Sequence, residues 1–277
     1  MVAAMAGFAM EDLFLKASAA RMPVGQVSVL VGCCGMLAFA VMCWRRAEPA
    51  LPVALFSRGM AIRSVFEVSG RLFYALAIAL TPLSVASAIL QATPLLVVGA
   101  AAVIFGEKVG WRRWLAVGVG FAGVLMILRP GLDGFDALSL LALAGMVGFA
   151  GRDLATRAAP PALSNAQLGV AGFAMLALSG AVIMAVTGRV VVPSAQALSL
   201  TALTCIFAVA SYAALTAAMR TGAVSVVTPF RYTRLVFALI IGVTVFGERP
   251  DLMTLLGSAV IVASGVYTLT RSRRIGD

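Results

Sequence analysis

Nine ionisable residues interrupt runs that are otherwise apolar: Glu11 and Asp12; Arg63, Glu67 and Arg71; Arg152 and Asp153; Arg231 and Arg234. Five are cationic and four anionic, so together they nearly neutralise one another. Arg63, Glu67 and Arg71 stand at i, i+4 and i+8, a single helical stripe that Tyr74 continues. Two cations around one anion leave a positive excess that needs a partner or a ligand. Asp12 with Lys16 and Asp153 with Arg157 each place the acid four residues before the base, the spacing of a local ion pair. Charges of both signs in an apolar setting suit the binding of a zwitterion: Arg63, Arg71, Arg231 or Arg234 would meet a carboxylate, and Glu11, Asp12 or Asp153 an ammonium. Tyr74, Tyr212, Phe230 and Tyr232 would receive an apolar side chain. Histidine is absent, so a proton carrier would have to be a carboxylate such as Glu11, Asp12 or Glu67. The same absence removes Ser–His and Cys–His catalysis and paired-histidine zinc motifs, and no glycine-rich phosphate loop precedes a lysine. No catalytic residue, metal ligand or cofactor is assigned.

The elements that position these charges must be membrane helices. Hydrophobic residues make up 62% of the 277 and charged residues 12%, with a mean hydropathy of +1.04; soluble domains have roughly 45–50% and 25%. The net charge of +10 is carried by single basic residues scattered between apolar runs, which argues against a nucleic-acid surface. Cys33, Cys34, Cys43 and Cys205 lie within apolar runs and read as small hydrophobes. No cleavable signal peptide is apparent, and a pore is disfavoured because no ring of like charges or filter-like repeat occurs.

About 20 apolar residues cross a bilayer, and the chain divides into ten such spans, near 1–19, 25–44, 58–80, 84–105, 111–129, 137–157, 163–187, 196–219, 223–246 and 250–270. The first has only about ten residues before Glu11, which predicts a short helix or a native start upstream of Met1. A displacement of 141 residues carries GFAMEDLFLKA (7–17) onto GFAGRDLATRA (148–158), Gln26 onto Gln167, and Phe105-Gly106-Glu107 onto Phe246-Gly247-Glu248. Matches at the start, middle and end of each half argue for duplication, with units 1–132 and 133–277. Loop charge places ten basic residues on one side and five on the other, so both termini are expected in the cytoplasm. With five spans per unit, the second unit must enter the membrane upside down. The expected fold is therefore an all-α membrane protein, ten transmembrane helices in two inverted-topology five-helix repeats around a central cavity.

Within the duplication, Glu11 and Arg152 are equivalent but opposite in charge, which predicts a gating pair across the repeats, with Asp12 and Asp153 beside it. Pro94 and Pro229 predict kinked helices facing the midplane, with Gln91, Phe230, Arg231, Tyr232 and Arg234 on the cavity. The small-residue series Gly32-Gly35, Gly145-Gly148-Gly151, Gly169-Gly172, Ala116-Gly120 and Gly118-Ala122 read chiefly as close helix packing, with sliding surfaces or a dimer contact through spans 5 and 10 as the alternatives.

Several of these stretches resemble the drug/metabolite transporter superfamily, specifically its EamA-type ten-helix members. The resemblance rests on Asp12 to Lys16, on Tyr74-Ala75-Leu76-Ala77 leading into Thr81-Pro82-Leu83-Ser84-Val85-Ala86-Ser87-Ala88, and on Pro94 followed by Phe105-Gly106-Glu107. Pro229-Phe230-Arg231-Tyr232-Thr233 and Phe246-Gly247-Glu248-Arg249-Pro250 extend it through the second half. Leu235 departs from the pattern where the repeat would place a second Pro94. The resemblance implies alternating access in a bacterial inner membrane, by a monomer or homodimer, with amino acids, possibly aromatic, exported. Import of nucleoside-type metabolites such as S-adenosylmethionine is the alternative, and a membrane-embedded enzyme the rival from another class.

Overall fold

The computed structural model describes residues 1–104, 110–129, 136–157, 163–221 and 228–272. It is all-helical, and among the described residues no strand occurs. The first half contains α1 (Val2–Ala19), α2 (Val24–Arg45), α3 (Arg58–Leu80), α4 (Leu83–Leu90), α5 (Thr93–Ile104) and α6 (Trp111–Leu128). The second half contains α7 (Ser139–Arg157), α8 (Asn165–Thr187), α9 (Ala195–Thr221), α10 (Thr233–Phe246) and α11 (Leu252–Ser272). Short 3-10 turns occupy Val53–Phe56 and Thr228–Tyr232. Four stretches are long and apolar enough to cross a membrane by length and composition alone: Val24–Arg45, Leu83–Ile104, Asn165–Thr187 and Ala195–Leu215. Large apolar side chains such as Trp44, Val65, Trp111, Val186 and Ile206 point outward, as a lipid-facing surface requires.

Sequence dictates where the helices begin and end. Ser164 caps α8 reciprocally with Gln167, the capping box that satisfies two otherwise orphaned N–H groups. Gly188 and Gly247 terminate α8 and α10 in the left-handed conformation, each at φ +62°, where a Cβ would be strained. Two expectations are corrected. Span 4 is not continuous: Gln91 and Ala92 form a turn between α4 and α5. Pro94 then sits in the first turn of α5, where its missing N–H costs nothing. Span 9 is likewise not one kinked helix, because Pro229 lies in the 3-10 turn and α10 starts only at Thr233. Residues 222–227 and the Phe105-Gly106-Glu107-Lys108 stretch lie outside the described residues.

Most of the small-residue series do what their spacing predicted and let helices approach, while Gly172 and the Gly118-Ala122 pair do not. A Cβ on Gly148 would lie 2.4 Å from the backbone nitrogen of Gly70, one on Gly151 would meet the Phe66 ring, and one on Gly145 would press on Tyr74, so α7 runs antiparallel against α3. Gly32 and Gly35 press on Ala177 and Phe173, and Gly169 on Phe39, bringing α2 and α8 together antiparallel. Gly7 faces Ser211 and Phe14 stacks on Phe207, an antiparallel α1–α9 pair. In α6, Gly120 and Gly123 face Ser264 and Ile261 of α11, so the Ala116-Gly120 face is covered within the chain, whereas Gly118 has open space and Ala122 is exposed.

Candidate functional site

The helices enclose a cavity of about 1150 Å³, counting the part open to the outside. Its wall includes Glu11, Asp12, Arg71, Tyr74, Gln91, Arg152, Tyr212, Arg231, Tyr232 and Arg234. Ten of the fourteen residues expected to bind substrate or gate transport therefore share one chamber. Two irregular segments meet at its side: the Gln91 amide donates to the Arg231 carbonyl at 2.9 Å. That bond satisfies a backbone acceptor which the 3-10 turn leaves free, as non-helical backbone at membrane depth requires.

The charges are arranged in two clusters and one separate carboxylate. In the first cluster, Asp12 accepts two bonds from Arg234 Nη2, at 2.9 and 2.7 Å, and one from its Nε at 3.1 Å, while the Tyr74 hydroxyl donates to it at 3.3 Å. The local Asp12–Lys16 pair expected from spacing is thus replaced. A bidentate guanidinium from α10 holds the carboxylate, and Lys16 turns instead to Glu248 at 3.6 Å. In the second cluster, Glu67 is fully buried, pairs with Arg63 at 2.8 Å and accepts from Arg71 at 3.2 Å, the predicted stripe, and lies 3.7 Å from Arg152 of α7. Glu67 and Arg63 are not on the cavity wall. Both stand behind it, where Glu67 orients Arg71 and Arg152 toward the chamber.

The predicted Glu11–Arg152 pair does not form. Arg152 bonds Asp153 at 2.8 Å, and Asp153 lies 3.9 Å from Arg231. Asp153 is thus a backing residue too, absent from the wall, and the Arg157 side chain lies outside the described residues. Among the described residues Glu11 has no ion pair within 4 Å, although it lines the cavity. Phe230 is 47% exposed and turned away from the chamber, which corrects its placement in the site.

Phe8 and Phe149 were missed. Arg234 lies 5.1 Å over the Phe8 ring and Arg152 5.0 Å over Phe149, contacts that offset part of the cost of burying charge in the wall. Both phenylalanines belong to the duplicated Gly-Phe-Ala motif, which was the signal available. Thr93, Thr204 and Ser28 add neutral polar groups; nothing in their spacing marks them.

The EamA-like transporter family matches residues 1–129 and again 136–270. A relative named S-adenosylmethionine uptake transporter, from Rickettsia prowazekii (strain Madrid E), is 24% identical over 221 residues, covering 77% of this chain and 72% of the relative. One named riboflavin transporter, from Rhizobium johnstonii, is 25% identical over 197 residues, covering 71% and 65%. A solved crystal structure superposes over 99% of both chains with a TM-score of 0.64 at 19% identity, a likeness of fold alone. None of these relatives is named an amino acid exporter. With both halves matched by one family of membrane carriers and its charges gathered around one central chamber, the chain belongs to the EamA-like transporter family.

Proposed function

We propose that this chain is a secondary transporter of a metabolite with an amino acid end and a ring-bearing remainder, of the S-adenosylmethionine type, crossing a bacterial inner membrane by alternating access. The observation that carries the reading is the cavity wall: Glu11, without an ion pair among the described residues, faces a chamber shared with Arg71, Arg152, Arg231 and Arg234. An unpaired carboxylate suits an ammonium or sulfonium, the arginines suit a carboxylate, and Phe8, Tyr74, Phe149 and Tyr212 offer faces for a ring. Export of free aromatic amino acids fits the same charges, but the uptake named for the Rickettsia relative makes import the first direction to test.

The architecture we infer with it is ten spans in two inverted units, 1–132 and 133–277, with both termini cytoplasmic. Exchange of contacts between the halves supports it. Shifting by 141 residues turns the Gly7–Ser211 approach into the Gly148–Gly70 approach, and Gly120–Ser264 into Gly123–Ile261. Equivalent helices, α2 with α8 and α6 with α11, run antiparallel, as an axis in the membrane plane demands. Counterflow in proteoliposomes tests the function. Labelled S-adenosylmethionine should exchange faster with unlabelled compound inside than across protein-free vesicles, and a decarboxylated analogue should exchange poorly. Acceleration for riboflavin alone, or for no carboxylate-bearing compound, overturns the substrate class.

A further inference from the structure

A carboxylate outside the cavity joins the two halves of the chain. Glu248 follows Gly247, whose left-handed conformation ends α10 and turns the chain back, and the bare Cα of Gly242 leaves room for the folded side chain: a Cβ there would lie 2.5 Å from Glu248 Oε2. The carboxylate accepts from the Leu83 N–H at 2.6 Å, the Ser84 N–H at 3.0 Å and the Ser84 hydroxyl at 2.7 Å. Those amides are orphans of the first turn of α4, the positive end of its dipole. Lys16, at the end of α1, lies 3.6 Å from Glu248 and donates to the carbonyls of Ile78 and Thr81 at the end of α3. One second-half carboxylate thereby fastens the ends of three first-half helices. Leu15, next to Lys16 in sequence, lines the cavity.

We propose that Glu248, Ser84 and Lys16 form a releasable latch that shuts the chamber at the face where α1 ends, the outer face in the orientation read from loop charge. A static cap would be complete with acceptors from its own half. Here the bonds span 164 and 165 residues, across the boundary along which rocking must part the halves. Water can replace every one of these bonds when the face opens. The same residue types recur in sequence at the 141-residue shift, as Glu107, Arg157 and Ser225; those side chains lie outside the described residues and form no part of the proposal. The inference rests on alternating access but not on any substrate.

Thiol labelling without substrate separates the two. In a variant with the native cysteines replaced and Leu15→Cys added, Glu248→Ala should raise the labelling rate by a membrane-impermeant maleimide about tenfold from the α1-end face and lower it from the opposite face. Ser84→Ala and Lys16→Met, which leave part of the latch, should give the same change at smaller size and serve if Glu248→Ala does not fold. A lowered melting temperature with labelling unchanged from both faces would make Glu248 a structural cap and overturn the latch. Labelling changes with counterflow absent for every compound would leave the latch standing and reject the substrate assignment.

Discussion

Two neighbouring carboxylates on α1 have opposite fates. Asp12 is 2% exposed and saturated by Arg234 and Tyr74, whereas Glu11 faces the chamber with no ion pair among the described residues. Removing one partner of a buried pair costs about 3–5 kcal/mol because the other charge is stranded. Asp12→Asn is therefore expected to lower stability by about 3 kcal/mol, read as thermal unfolding in detergent, with Arg234 left unpaired. Glu11→Gln should leave the unfolding transition within about 1 kcal/mol of the parent and weaken binding of a cationic substrate about tenfold or more, one charge-assisted bond being worth about 1.5–3 kcal/mol. The two variants exchanging these phenotypes would show that Asp12, not Glu11, is the ligand-facing group. Sequence alone could not separate them, because adjacent residues on a helix differ by about 100° of azimuth and only packing tells which azimuth meets α10. The same ignorance put Phe230 in the site and left Phe8 out.

At the scale of elements, helix existence was legible and helix continuity was not. Apolar run length located most helix ends to within a few residues, the start of α10 at Thr233 excepted, and glycine spacing named most of the packing faces, because both depend on local geometry that sequence carries directly. Pro94 and Pro229 marked where the two helices become irregular, but not that each breaks outright; at the first break the Gln91 amide meets the Arg231 carbonyl, 140 residues away. Substitutions on those faces test the packing. Gly148→Leu should collapse the α3–α7 contact, where even a Cβ would meet the Gly70 nitrogen at 2.4 Å, and cost several kcal/mol by overpacking against backbone. Gly118→Ala, with nothing within 4 Å, should be neutral or slightly stabilising. Equal melting temperatures for the two would refute the helix pairing. Asp251, just ahead of the helix α11, gives a pH test. Asp251 accepts from the Thr254 N–H at 2.8 Å at the start of α11 and pairs with Arg129. The Thr254 bonds foremost, and then Arg129, hold its carboxyl below the usual carboxylate range. A depressed folded value means the contribution is present above about pH 4, the unfolded value, and is lost as pH falls below it. Because the side chain is half exposed, the effect stays under about 1 kcal/mol. Melting temperatures from pH 6 down to pH 3 should show a larger acid loss in the parent than in Asp251→Asn; parallel curves would remove Asp251 from the balance.

For the whole molecule, the decisive quantity is the handedness of the duplication relative to the membrane. Were the halves parallel, α2 and α8 would run the same way, and so would α6 and α11. Instead Ser28 meets Gly180 while Phe39 meets Gly169, so the contact partners move in opposite directions along the two chains. In the proposed architecture, an odd number of spans per unit delivers that inversion. Arg112, at the start of α6, and Arg249, just before α11, then belong on opposite sides of the bilayer. Single cysteines at these positions in a cysteine-free background, labelled in intact cells with an impermeant maleimide, should react at 249 and stay protected at 112 until the membrane is opened. Reaction at both in intact cells would place the two loops in one compartment. The inverted pair, the orientation and the outer-face latch would then fail together, while the buried charge clusters, which depend only on helix packing, would stand.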